Sequence, residues 1–223
     1  MITVLKTGGA SGDPAPHVAA LTARGVGVVM VHGAGPQISR RCRERGIEPW
    51  FLDGQRVTDR AVLAVVEREL ARHNARLVSL LRDAGLDAVG VAGVLSATPL
   101  SDSRLGLVGK VSGVDDGPLR DLLAAGRVPV VNPFAGLNVN ADHAAAAVAI
   151  ALAADELAFL SDVPGVLAAD GTVIRTIAAG STAALVSAGT IRGGMVPKLA
   201  AAGAALTGGV WRVWIGSETR VTA

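Results

Sequence analysis

Val26-Gly27-Val28-Val29-Met30-Val31-His32-Gly33-Ala34-Gly35-Pro36-Gln37-Ile38-Ser39 is the stretch that decides the architecture. Its first six residues are almost wholly apolar, as in a strand buried on both faces of a parallel sheet. The run then breaks into His32-Gly33-Ala34-Gly35, and an Arg-rich polar segment opens after Ile38. The pattern is strand, tight loop, helix. Small residues at 33 to 35 let a ligand approach the backbone, and a following helix N-terminus points free N–H groups at it, so the junction suits an anion. A dinucleotide fingerprint would need a third glycine where Ile38 stands. Taken alone, the loop is equally readable as a structural turn.

Working outward, strand-like runs at Ile2–Leu5, Ala88–Val94, Val128–Val131 and Leu157–Leu160 alternate with helical stretches, and further strands are expected at Thr172–Ile177 and Val210–Ile215. That alternation predicts an α/β fold with a mainly parallel sheet and helices on both faces. Ligands in such sheets bind outside the carboxyl ends of the strands. Lys6-Thr7-Gly8-Gly9, His32–Gly35 and Ser161-Asp162-Val163-Pro164-Gly165 all fall there.

The 223 residues include 50% apolar and only 18% charged side chains, with a net charge of +2 spread along the chain. Three Phe, three Trp and no Tyr leave little for stacking bases, so nucleic-acid binding is not expected. The longest apolar run, Ala144 to Ala154, is too short to span a bilayer, and Met1 leads directly into a strand rather than a signal peptide. Cys42 is the single cysteine, which excludes an internal disulfide and a Cys-based zinc cluster. A cytoplasmic enzyme is the plainest class.

Thr58–Arg82 reads as one long helix with Val62, Val66, Leu70, Leu77 and Leu81 on a stripe; Asn74 shares that stripe and is expected to bond a neighbouring loop. Arg56, in the loop before it, is a candidate clamp for a carboxylate. Ser96–Asp116 loosens into what reads as a hairpin excursion that covers the site. Asn138-Val139-Asn140-Ala141-Asp142 precedes an alanine-rich helix that Asp142 can cap, while the two Asn project together from an extended segment toward the crevice.

The last block is Gly193-Gly194-Met195-Val196-Pro197-Lys198. Pro197 belongs in a first helical turn, which places Lys198 near a helix N-terminus, where a cation costs roughly 0.3 to 1 kcal/mol unless an anion sits beside it. The chain uses 18 Arg and only three Lys. Two of the three, Lys6 and Lys198, stand near glycine pairs at a strand end and a helix start; Lys110 lies in the excursion. Sparse ammonium groups at such points suit a moving phosphoryl group. No Walker loop is present: the only Gly-Lys pair, Gly109-Lys110, has Arg104 where the first glycine should stand and Val111 after it.

Together these blocks, with Gly54-Gln55-Arg56-Val57-Thr58-Asp59, resemble the amino-acid kinase family, most closely its acetylglutamate kinases. The resemblance runs in order over nearly the whole chain. It implies a three-layer αβα sandwich with a carbamate kinase-like fold, an N-terminal lobe (1–155) for amino-acid binding and dimerisation, and a C-terminal lobe (156–223) for ATP. The implied activity is ATP-dependent phosphorylation of the side-chain carboxylate of N-acetyl-L-glutamate. Lys6, Lys198, Asp142, Gly9 and Gly35 would be catalytic, and Ala34, Gly35, Arg56 and Asn138 would bind the substrate. Asp162, Val163, Gly165, Val166, Leu167, Thr190, Arg192 and Met195 would hold the nucleotide, with Mg2+ carried on it and no metal held by the protein alone. A homodimer insensitive to arginine is also implied. Alternatives are a relative acting on another acyl-amino acid, such as carrier-linked 2-aminoadipate, or a non-catalytic sensor of the same fold. Ala34 stands where the family usually has the middle of three glycines.

Overall fold

The computed structural model describes residues 1–9, 12–168 and 170–223. Its central sheet has eight strands: β1 (Ile2–Thr7), β2 (Gly27–His32), β3 (Ala88–Val91), β4 (Val128–Val131), β5 (Glu156–Phe159), β6 (Thr176–Ala178), β7 (Arg212–Ile215) and β8 (Thr219–Thr222). They lie in the order β6-β8-β7-β5-β1-β2-β4-β3. All neighbours from β7 to β3 pair in parallel, whereas β8 runs antiparallel to β7 and parallel to β6. The expected mainly parallel sheet is therefore present. The strand β8 was not legible, because Thr219-Arg220-Val221-Thr222 is short and its pairing is decided by the Gly216 turn.

Among the described residues there are seven α-helices, α1 (Ala15–Thr22), α2 (Gly35–Glu44), α3 (Arg60–Asp83), α4 (Gly117–Ala124), α5 (Ala141–Ala151), α6 (Thr182–Ser187) and α7 (Met195–Thr207), most of them packed on the sheet. Burial on both faces explains the unbroken apolar strands: Val4, Val29 and Val31 pack in the core beneath α5 and α7, while Leu5, Val28 and Met30 pack against Val18, Leu77 and Leu81 of α1 and α3. Each such side chain contributes about 1.5–3 kcal/mol of transfer free energy. The alanines of α5 and α7 let these helices settle closely on the sheet, with Ala144, Ala145, Ala201, Ala202 and Ala205 fully buried.

Three expectations change in detail. The run Thr172–Ile177 is two strands: Val173–Ile174 pairs with Val166–Leu167 in a small ribbon, and β6 joins the central sheet. The excursion is a hairpin of Leu95–Pro99 and Val108–Val114, extended by Asn138–Val139 into a three-stranded sheet, while Ser103–Leu105 forms a 3-10 turn. The long helix begins after Asp59, whose carboxylate accepts the Val62 N–H at 2.8 Å.

Candidate functional site

At the carboxyl ends of β1, β2 and β5 lies a cavity of about 440 Å3, lined by Lys6, Gly9, Ala34, Arg56, Asp142 and Lys198 among others. The β2–α2 junction forms one wall. Ala34 precedes the first turn of α2 in a non-helical conformation (φ −138°, ψ 29°), and Gly35 opens the helix. Gly9 is pressed against that turn: an added Cβ would meet the Gln37 side-chain oxygen, and would lie 3.0 Å from Pro36 Cδ. Gln37 Nε2 donates to the Gly9 carbonyl at 2.6 Å, tying the β1 loop to the start of α2.

The central feature is a single carboxylate oxygen. Asp142 Oδ1 lies 2.8 Å from Lys6 Nζ and 3.2 Å from Lys198 Nζ, with all three side chains nearly buried. Burial alone would raise the Asp142 pKa, but the two ammonium groups outweigh it and hold the carboxyl below its ordinary range. Burial lowers the Lys198 pKa; Asp142 opposes the shift and Lys6 adds to it. Lys198 Nζ also sits 4.9 Å from the centre of the Phe159 ring. The anion that a cation near a helix N-terminus demands is thus Asp142, delivered from the first turn of α5.

Asp142 is not the cap of its helix. Asn140 is: its side-chain oxygen accepts from the Asp142 and His143 N–H groups at 2.8 and 3.3 Å. Asn140 occupies the extended N-cap position whereas Asp142 lies within the first helical turn, and this leaves the Asp142 carboxylate for the lysines. Asn138 donates to Thr58 Oγ1 at 2.9 Å, and Thr58 in turn donates to the Arg56 carbonyl at 2.7 Å. Both Asn residues line the cavity, as expected, and both also have local structural partners.

Arg56 is buried rather than idle at the surface. Its Nη2 donates to the Gly35 carbonyl at 3.1 Å and Ser39 Oγ at 2.8 Å, and its guanidinium lies 4.7 Å from the centre of the Phe51 ring. Nη1 is buried with no partner among the described residues. Asn74 bonds His32 Nε2 and the Val130 carbonyl, at 3.1 and 2.8 Å, so its role is structural, with partners on β2 and β4 of the sheet rather than on a neighbouring loop. His32 is wholly buried, and burial, with His73 nearby, pushes its pKa down to about 3, so it is a neutral support beneath the loop.

Of the C-terminal residues, Asp162 lines both the main cavity and a second one of about 430 Å3 beside it, which Val163 also lines. Val166 is in the core with its N–H on Thr219 Oγ1 at 2.8 Å, and Gly165 is packed so closely on Thr219 that a side chain would not fit. Leu167 is exposed in the small ribbon, Thr190 donates its N–H to the Leu185 carbonyl, and Arg192 bonds the Gly189 carbonyl at 2.7 Å. Met195 begins α7 against the core. None of these last four lines either cavity. Nothing in the sequence alone assigns Gln37, Ser39 or Phe159 to the site; the scarcity of aromatics is the available signal for Phe159, because two of the three Phe each face a cation of the site.

Residues 1–217 match the model of the Amino acid kinase family. Among similar proteins is an acetylglutamate kinase of Geobacillus kaustophilus (strain HTA426), 42% identical, the match covering 95% of this chain and 88% of that one. Among solved structures, smu.665 from Streptococcus mutans UA159 superposes with a TM-score of 0.92 at 30% identity, over 100% of this chain and 98% of that one. Carbamate kinase from Giardia lamblia bound to AMP-PNP shares the fold, with a TM-score of 0.75 at 14% identity over 99% and 97% of the two chains.

Proposed function

Because the chain belongs to the amino acid kinase family, we propose that it transfers the γ-phosphoryl group of ATP to the side-chain carboxylate of N-acetyl-L-glutamate. The products are N-acetyl-L-glutamyl 5-phosphate and ADP, a step of arginine biosynthesis. The observation that carries this reading is the shared Asp142 oxygen, which draws Lys6 and Lys198 to one point on the wall of a cavity that Arg56 also lines.

A carboxylate is already a competent nucleophile at neutral pH, so the site needs alignment and charge neutralisation rather than a general base. An ammonium has three donors. With one from each lysine spent on Asp142, the remainder are available to phosphoryl oxygens as charge moves from the nucleophile toward ADP. The unpartnered Nη1 of Arg56 suits the α-carboxylate of the acyl-amino acid, while Ala34, Gly35 and Asn138 frame the substrate between α2 and α5. Among the described residues no group of three His, Cys, Asp or Glu could hold a metal ion, and of the two carboxylates on the cavity Asp142 is paired to the lysines, which leaves Asp162. That donor set fits Mg2+ arriving on the nucleotide, where it neutralises phosphate charge.

In this reading residues 1–155 bind the amino acid and residues 156–223 bind ATP through Asp162, Val163, Gly165, Val166, Leu167, Thr190, Arg192 and Met195. The protein acts in the cytoplasm as a homodimer, which light scattering tests. Among the described residues no helix is long and apolar enough to cross a membrane. The activity is tested by trapping the acyl phosphate with hydroxylamine. Hydroxamate should form from MgATP and N-acetyl-L-glutamate; its absence across a panel of acyl-amino acids, with N-acetyl-L-glutamate still bound, would identify a sensor instead.

A further inference from the structure

Lys110, the third of the three lysines, has no part in the phosphoryl site, yet it lines a side cavity of about 200 Å3 that shares Gln55, Val139 and Asn140 with the main one. The inner wall of that side cavity is apolar, with Leu100, Val111 and Val139 from the three-stranded sheet and its edge. Lys110 and His143 are its charged and titratable members. Lys110 is exposed and forms no ion pair among the described residues, and its ammonium is close enough to His143 to help lower the imidazole's pKa, behind burial and against the pull of Asp142. The side cavity thus borders the substrate site through three shared lining residues, and it pairs an apolar wall with an exposed cation that has no ion pair among the described residues.

We propose that this side cavity is an extension of the acyl subsite, taking an N-acyl group longer than acetyl whose terminal carboxylate meets Lys110. The inference rests on the kinase reading above and extends its substrate class from N-acetyl-L-glutamate to N-acyl-L-glutamates with a dicarboxylic acyl group, of which N-succinyl is the four-carbon case. An acyl chain of that length places methylene groups along Leu100 and Val111 and leaves its charge at the rim. A neutral chain of equal length gains the apolar wall but not the ion pair, so the two ligands separate the contribution of Lys110 from that of the cavity.

The test is hydroxamate formation from N-acetyl-, N-butanoyl- and N-succinyl-L-glutamate by the whole protein with MgATP. The succinyl compound should exceed the butanoyl one in kcat/KM by about fivefold, the size of a partly exposed ion pair. Lys110→Gln should erase that ratio, and Leu100→Trp, which fills the side cavity, should lower use of both long acyl groups relative to acetyl. Succinyl used no better than butanoyl, a ratio that survives Lys110→Gln, or use of the acetyl compound alone would each overturn the proposal and leave the kinase reading intact. No hydroxamate from any of the three would instead remove the kinase reading on which it rests.

Discussion

Replacing Asp142 by Asn removes one charge and almost no volume from a point where two buried ammonium groups meet. In the native site Asp142 Oδ1 holds Lys6 at 2.8 Å and Lys198 at 3.2 Å, with about a tenth of each side chain exposed. Breaking a buried pair by removing one partner costs about 3–5 kcal/mol, because the remaining charge is left uncompensated. For a chain of this size that corresponds to a Tm lower by about 10 °C. The charge also sets protonation. Burial and Lys6 already push the Lys198 pKa down and Asp142 pushes it up, so in the variant the pKa falls further and the ammonium is lost at a lower pH. The pH–rate profile should therefore turn down on its alkaline side earlier than in the parent. Urea unfolding and hydroxamate formation between about pH 6 and 10 measure both effects. Unfolding within about 1 kcal/mol of the parent, together with an unchanged alkaline limb, would refute the claim that Asp142 works by holding two cations. Linkage gives an independent sign. The native Asp142 pKa is depressed, so its stabilisation is present above the unfolded carboxyl value and is lost as pH falls through the folded one. The Asp142→Asn variant, with an amide that does not titrate, should lack that part of the acid dependence.

Asn140→Ala should cost about 1 kcal/mol by urea unfolding, from loss of the helix cap, and should leave the alkaline limb of the pH–rate profile in place. Arg56→Lys should raise KM for the acyl-amino acid about 10- to 100-fold while leaving KM for ATP unchanged, since a compact ammonium lacks the planar fork that anchors one nitrogen on Gly35 and Ser39 and directs the other elsewhere; steady-state kinetics in each substrate decide it. Gly9→Ala should lower kcat by at least about tenfold with a small change in Tm, because the new methyl group displaces Gln37 and shifts the loop that carries the phosphoryl contacts. His32, neutral in the fold with a pKa of about 3 against 6.5 when unfolded, destabilises the protein as pH falls through that interval, by up to about 4–5 kcal/mol. His32→Gln should flatten the urea-measured stability between about pH 6 and 4.

The parallel sheet was legible because β1, β2, β4 and β5 are buried on both faces, and only unbroken apolar runs satisfy that environment. The edge was legible only in part: the expected run Thr172–Ile177 overlaps β6, whereas β8 is a four-residue strand with alternate positions exposed, so no unbroken apolar run marks it. The site divides in the same way. Lys6 and Lys198 stood out by their rarity, since guanidinium groups serve nearly every other cationic position. What no spacing indicated was that the carboxylate between them is freed by its neighbour, because the choice of Asn140 over Asp142 as cap is a matter of backbone direction at one residue. Phe51 and Phe159 extend the point. In a chain with 3% aromatic residues, one ring faces Arg56 and another faces Lys198, so a cation assigned to each substrate anion is backed by a π-face. A ring attracts a cation without cancelling its charge, whereas a carboxylate would. In the proposed reading the guanidinium is therefore held in place with its charge available to the ligand. The two lysines divide a single anion between them and so keep a net positive charge, which the proposed reading assigns to the phosphoryl group.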